Sequence, residues 1–138
     1  MMKVTRFITS REMVQAILLR IEVLVEMHGY SRYQDEPDQY DTIAKIYIAK
    51  RDKTVIGTAR VRNENDVYRI QRMAVSPSCQ GEGIGSAIIE KIQEDYPKEK
   101  IYLMCPENTI EFYENFGFRK TDVTQKGEVH TYHRMQNY

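Results

Sequence analysis

The sequence predicts a single mixed α/β domain, on two observations. Residues 44–75 contain three alternating apolar stretches joined by short polar turns, the pattern of an antiparallel meander. Directly after them a glycine-rich turn, Gly81-Glu82-Gly83-Ile84-Gly85, opens a stretch whose isoleucines recur at helical spacing. A chain of 138 residues suits one domain with one core, residues 1–138.

Each element follows in order. Residues 3–9 alternate and carry β-branched side chains, so they read as a strand. Ser10 reads as an N-cap, and Met13, Ile17, Leu18 and Ile21 have helical spacing, giving a helix from about Arg11 to about Arg20. Residues 31–42 are polar and contain Pro37 and the acids Asp35, Glu36, Asp38 and Asp41, so they form a loop with room for one short helical turn. The meander strands are 44–50, 54–62 and 67–75, and Gly57 within the second marks a bulge or a close approach. The helix that follows carries Ile84, Ile88, Ile89 and Ile92 on one face and stops before Pro97. A short strand at 100–104, a helix from about Glu107 to about Asn115 ending at Gly117, and a hairpin of 118–124 and 129–135 complete the chain. Strand, helix, meander, helix, strand, helix, hairpin is the order of an α/β domain with a mixed sheet.

Composition narrows the function. Lys plus Arg and Asp plus Glu both number 20, and a formal charge of zero argues against a nucleic-acid binder. No apolar run approaches the roughly 20 residues of a membrane span. The segment MMKVTRFITSRE lacks the apolar core of a signal peptide, so a cytoplasmic protein is expected. Cys79 and Cys105 form no C-x-x-C pair and His28, His130 and His133 lack zinc spacing, so no metal is expected and free thiols are.

The stretch from Arg72 to Ile92 carries the chemistry. Alternating glycines bring the backbone close to a ligand, and the N–H groups of Gly81–Ser86 converge at the start of a helix whose dipole favours an anion such as a diphosphate. No Lys follows the glycines, as a P-loop requires, and Ser86 stands where a dinucleotide fingerprint has its third glycine. A permissive turn without a ligand is the remaining alternative.

The flanking residues bring a family into view. Gln80-Gly81-Glu82-Gly83-Ile84-Gly85 resembles Q/R-x-x-G-x-G/A, the acyl-CoA pyrophosphate loop of GNAT-type N-acetyltransferases, and Arg72-Met73-Ala74-Val75 is similar to that family's R-x-A-V strand end. Downstream, the run from Asn108 through Phe112-Tyr113 to Gly117-Phe118 resembles its N-x-x-A-x-x-F-Y-x-x-x-G-F helix, with Ile110-Glu111 where a small residue is commoner. Arg20-Ile21-Glu22-Val23 through Gly29 is similar to the R-x-E-V-F-V-x-E-Q-G segment of a small bacterial subgroup, with Met27 and His28 in place of Glu-Gln. The acidic residues 35–41 resemble that subgroup's E-x-D-x-x-D, and Gly127–His130 its G-I-P-H without the Pro.

The resemblance implies a mostly antiparallel central sheet, splayed after the strand ending at Val75 and flanked by helices. Acetyl-CoA would lie in the opening, its pantetheine paired to Met73, Ala74 and Val75 and its diphosphate on Gln80, Gly81, Glu82, Gly83, Ile84, Gly85 and Ser86. A main-chain N–H near Val75 would polarise the thioester carbonyl. An acceptor amine, on a small molecule or a protein, would attack directly. Tyr113 would protonate the leaving thiolate, or would pack in the core as Phe112 does; Asn108 would bond the pantetheine or cap its helix. The general base is open among Glu22, Glu26 and His28, each of which also reads as a solvated helix-end residue.

The acids at 35–41 read either as an attractor for a cationic acceptor or as a solvated loop, and the basic run from Lys50 to Arg72, Arg69 included, either as help for a phosphorylated cofactor or an acidic acceptor or, for most of it, as solvated strand and turn residues. Acyl transfer through a cysteine would need an activating histidine, which the spacing does not supply. A non-catalytic acyl-CoA-binding domain of the same fold is the rival reading, and either would be a monomer or a homodimer.

Overall fold

Thr9, one residue before the expected cap, starts the first helix. In the computed structural model, which describes residues 1–138, the Thr9 hydroxyl accepts from the Glu12 N–H at 3.1 Å and the Glu12 carboxylate accepts from the Thr9 N–H at 2.9 Å. This reciprocal box satisfies two orphan donors at once, which Ser10 could not do because the acid stands three residues after Thr9. The strand before it, β1 (Met2–Thr5), is therefore shorter than its alternation suggested. Helix α1 (Ser10–Arg20) continues as a π-helical segment, Ile21–Met27, where the His28 N–H reaches back to the Val23 carbonyl at 3.1 Å. Two short 3₁₀ turns, Tyr33–Asp35 and Gln39–Thr42, follow in the acidic stretch, where one was expected.

The meander is β2 (Lys45–Arg51), β3 (Thr54–Glu64) and β4 (Val67–Val75). Helix α2 spans Ile84–Asp95, β5 Lys100–Pro106, α3 Ile110–Glu114 after a 3₁₀ turn at Glu107–Thr109, and the hairpin β6 (Arg119–Lys126) and β7 (Thr131–Gln136). The seven strands form one sheet in the order β1-β2-β3-β4-β5-β7-β6. Only β4 and β5 run parallel, because α2 crosses between them; β7 inserts beside β5 and leaves β6 at the edge.

Alternation places a core on each face. Tyr47 and Ala49 of β2 join Ile84, Ile88, Ile89 and Ile92 of α2 on one side. Ile46 and Ile48 join Ala16, Leu19, Val23 and Leu24 on the other. Each fully buried isoleucine of α2 contributes about 1.5–3 kcal/mol, so this helix is firmly seated. Gly57 shows both features expected of it. The β2–β3 register shifts beside it, and a Cβ at Gly57 would stand 2.7 Å from Ile84 Cγ2.

The sheet opens earlier than expected. Parallel pairing covers only Val67–Ile70 against Lys100–Leu103, so the strands part before Val75, at Ile70 and Leu103. A register shift between Thr58 and Arg60 marks a bulge in β4, and Arg72 there takes φ +57°.

The acids of residues 35–41 are not a solvated loop. Arg20 is fully buried on α1; its Nε donates to Glu36 Oε2 at 2.7 Å, and its two Nη atoms fork onto Asp41 at 2.8 Å each. Arg60, also buried, reaches Asp38 at 2.6 Å and Asp41 at 3.1 Å, while Arg72 Nε lies 2.6 Å from Glu36 Oε1 and its Nη2 3.1 Å from Asp38. Three arginines and three carboxylates neutralise one another, so burial of the charges is compensated. Burial alone would raise the Asp41 carboxyl, yet the Arg20 and Arg60 guanidiniums hold it at about 2.

Candidate active site

Divergence of β4 from β5 leaves a cleft of about 360 Å³. Its walls are the parted strands, with Arg69–Met73 on one side and Leu103–Pro106 on the other. The π-helical segment brings Leu24 to the rim, and Tyr30 and Tyr132 close one end. Tyr30 packs edge-on to His130 at 4.7 Å and to Tyr132 at 6.3 Å, and stacks on His28 at 5.0 Å.

Tyr113 enters the cleft from α3. It also belongs to the main core, as the packing alternative expected, and lies edge-on against Phe112 at 4.9 Å. Burial pushes its phenol far above the ordinary value, with smaller contributions from Cys105 and Tyr30, so it holds its proton at neutral pH. Cys105 lines the cleft as well. Burial raises that thiol, and its sulfur lies 3.4 Å from Met135 Sδ, an apolar setting that keeps it a thiol and a poor nucleophile.

The glycine-rich turn lies past the end of β4. Gly81 and Gly83 have φ of +80° and +79°, and a Cβ on either would project into open space. Gly83 caps α2 in the left-handed conformation with no side chain bonded to the first turn, so the leading N–H groups of α2 are free to meet an anion. Gln80 Nε2 donates to the Val75 carbonyl at 2.9 Å and ties the turn to the strand end. Glu82 turns its carboxylate to Arg51 at 3.0 Å, and Ile84 is in the core, so these two can offer only backbone to a ligand. Ala74 is likewise buried, against α1.

The remaining expected residues are dispersed. Of them only Met73 and Tyr113 line the cleft. Asn108 is exposed, and neither Glu107–Thr109 nor α3 has a side-chain cap, so capping is not its role. Glu22, Glu26 and His28 are exposed, and Glu26 accepts from the Tyr33 hydroxyl at 2.7 Å. Arg69 belongs to the basic run expected to help an acidic acceptor or to be solvated; Gln71, Tyr30 and Tyr132 were not anticipated. Period-two alternation from Met73 would not have found Arg69 and Gln71, because the bulge at Arg72 turns Gln71 toward Arg60 while Met73 packs in the α2-side core, and nothing local marks the tyrosines.

The family model for an acetyltransferase (GNAT) domain matches residues 42–120, more than half of the chain. The chain belongs to the GNAT acetyltransferase family. The "Putative acetyltransferase BSU40680" of Bacillus subtilis (strain 168) is 26% identical over 124 residues, covering 86% of this chain and 84% of its own. Two crystal structures share the fold end to end. Escherichia coli ElaA matches at a TM-score of 0.85 with 20% identity over 100% of both chains. A Pseudomonas aeruginosa acyl-CoA N-acyltransferase matches at 0.82 with 19% identity over 100% of this chain and 99% of its own. The GNAT fold accounts for the parted strands and the turn together, and the family identifies this chain as a transferase of acyl groups. None of its helices is long and apolar enough to cross a membrane.

Proposed function

We propose that the chain, residues 1–138 as one domain, transfers an acetyl group from acetyl-CoA to a primary amine by direct attack within a ternary complex. The observation that carries this is that one cleft region combines three features: an unpaired strand edge, a glycine-rich helix start beyond the end of that strand, and a protonated tyrosine in the cleft wall.

The donor fits the residues present. Beyond Ile70, β4 has no partner from β5, so Met73–Val75 can pair with an extended pantetheine as with an added strand. The Val75 carbonyl is already engaged by Gln80, which leaves main-chain N–H groups of this edge to meet ligand carbonyls, the thioester carbonyl among them. The diphosphate rests on the N–H groups of Gly81–Ser86, where Gly81 and Gly83 leave room for it. The exposed Asn108, in the turn that follows β5, contacts the pantetheine.

The amine attacks the thioester carbon, the C–S bond breaks, and the Tyr113 hydroxyl gives its proton to the departing thiolate. Its phenol is protonated at neutral pH, as a donor must be. The amine must shed a proton, and no carboxylate lines the cleft. Glu26 and Glu22, which flank Leu24 on the rim segment, therefore take it through water. The Cys105 thiol, raised by burial, favours direct attack over a cysteine-bound intermediate.

Thiol release from acetyl-CoA against a panel of amines tests this reading, with mass spectrometry of the acetylated amine. Release that depends on an amine, with stoichiometric acetylated product, is the expected result. Tight CoA binding without transfer to any amine would instead assign a non-catalytic acyl-CoA-binding domain.

A further inference from the structure

We infer that the acceptor is a primary amine that also carries a carboxylate, and that Arg69 binds that carboxylate; this rests on the acyl-transfer reading above. The cleft wall contains two arginines, Arg69 and Arg72, and no Asp or Glu. Arg72 is already spoken for by Glu36 and Asp38. Arg69 has no carboxylate within ion-pair distance, and its Nε is buried without a hydrogen-bond partner. Its guanidinium lies 5.4 Å from the Tyr102 ring centroid, and Arg134 approaches the same ring at 4.0 Å, adding a second cation beside the first. Glu64, on the neighbouring strand, accepts from the Tyr102 hydroxyl at 2.5 Å and pairs with Arg62 at 3.2 Å.

Position separates Arg69 from the donor. Arg69 pairs with Tyr102 in the closed part of the sheet, four residues before Met73, about 13 Å of strand. The glycine-rich turn lies beyond Val75, in the opposite direction along β4. Arg69 is thus placed for the acceptor and not for the phosphates of the donor. Arg69 is half-buried, and its enclosed, unmet Nε donor carries a penalty that a carboxylate removes, through a charge-assisted and bidentate contact. A polyamine would meet two arginines and no counter-charge. Of the acids at 35–41, which would otherwise attract one, Glu36, Asp38 and Asp41 are held by Arg20, Arg60 and Arg72, and Asp35 pairs with Arg32.

Matched substrates test this: phenylalanine against phenylalaninamide, and 6-aminohexanoate against 6-aminohexanamide. Each pair keeps its amine and removes one negative charge. The carboxylate member should have the higher kcat/KM in at least one pair, by about 10- to 100-fold. Its N-acetyl product should bind the CoA complex more tightly by a similar factor in calorimetry, a readout independent of turnover. Arg69→Gln should bring both ratios close to one, and Arg69→Lys should restore part of the preference; thermal melts verify that both variants are folded. Amides that match or exceed their acids in both pairs, or ratios unchanged in folded Arg69→Gln, would overturn the inference while leaving acyl transfer standing. Failure of acetyl transfer to every amine, charged or neutral, would remove the acyl-transfer reading and this inference together.

Discussion

Gly57 lies directly beneath Ile84: a Cβ on the glycine would come within 2.7 Å of Ile84 Cγ2 and 3.0 Å of Ile88 Cδ1. Both isoleucines are buried in the first turns of α2, immediately after the glycine-rich turn. A residue in β3 thereby sets the height of the anion-binding helix start above the sheet. Gly57→Ala should cost about 1–3 kcal/mol in urea denaturation through overpacking. It should also weaken CoA binding, because relief of the clash lifts the turn; unchanged stability and affinity would show that α2 yields without moving it.

Arg20 anchors the acidic segment. Arg20→Met removes a guanidinium that satisfies Glu36 and both oxygens of Asp41, leaving buried carboxylates short of their partner. The expected loss is about 3–5 kcal/mol of unfolding free energy. A loss below about 1 kcal/mol, the range of an exposed pair, would mean that water replaces the arginine.

Acid should expose the same network. The Asp41 carboxyl lies at about 2 in the folded chain against 3.8 in the unfolded one. A depressed folded value means the native state binds fewer protons, so this stability is complete above pH 3.8 and disappears as pH falls toward 2. The drop corresponds to about 2 kcal/mol. Denaturation midpoints between pH 5 and 2 should fall more steeply in wild type than in Asp41→Asn. Parallel slopes would contradict the assignment.

Tyr113→Phe separates chemistry from packing. It removes only the hydroxyl from a side chain whose ring packs against Phe112 and Phe118. As a general acid Tyr113 is worth about 10²–10⁴ in rate, so kcat should fall by that order while CoA affinity stays within twofold. An unchanged kcat would leave Tyr113 as a core residue alone.

How much of this was legible in the sequence depends on the range of the interactions. The β4 limits, Val67 and Val75, and the isoleucine face of α2 are local patterns, and both emerged as read. So did the glycine-rich turn, whose conformations need only neighbouring residues. Arg60 and Arg72 read mostly as solvated charges, and nothing near Arg20 pointed to its role, because their partners Glu36, Asp38 and Asp41 stand 16 or more positions away and meet them only across the folded core. The cleft wall was hidden for the same reason: Tyr30, Arg69 and Tyr132 come from three separate segments. The bulge at Arg72 and the parting of the strands at Ile70 leave no signature in alternation, which reports faces and not pairing.

The central claim is that the Gly81–Ser86 turn holds the diphosphate of the acyl donor. Calorimetric titration of CoA into wild type and Gly83→Val tests it most directly. Gly83 has φ +79° and its Cβ direction is open, so valine would occupy the approach to the turn and disfavour the left-handed cap, without a clash in the core. Saturable CoA binding in wild type, with binding lost in a variant that still melts cooperatively, is the predicted result. Equal CoA affinity in the two folded proteins would contradict it.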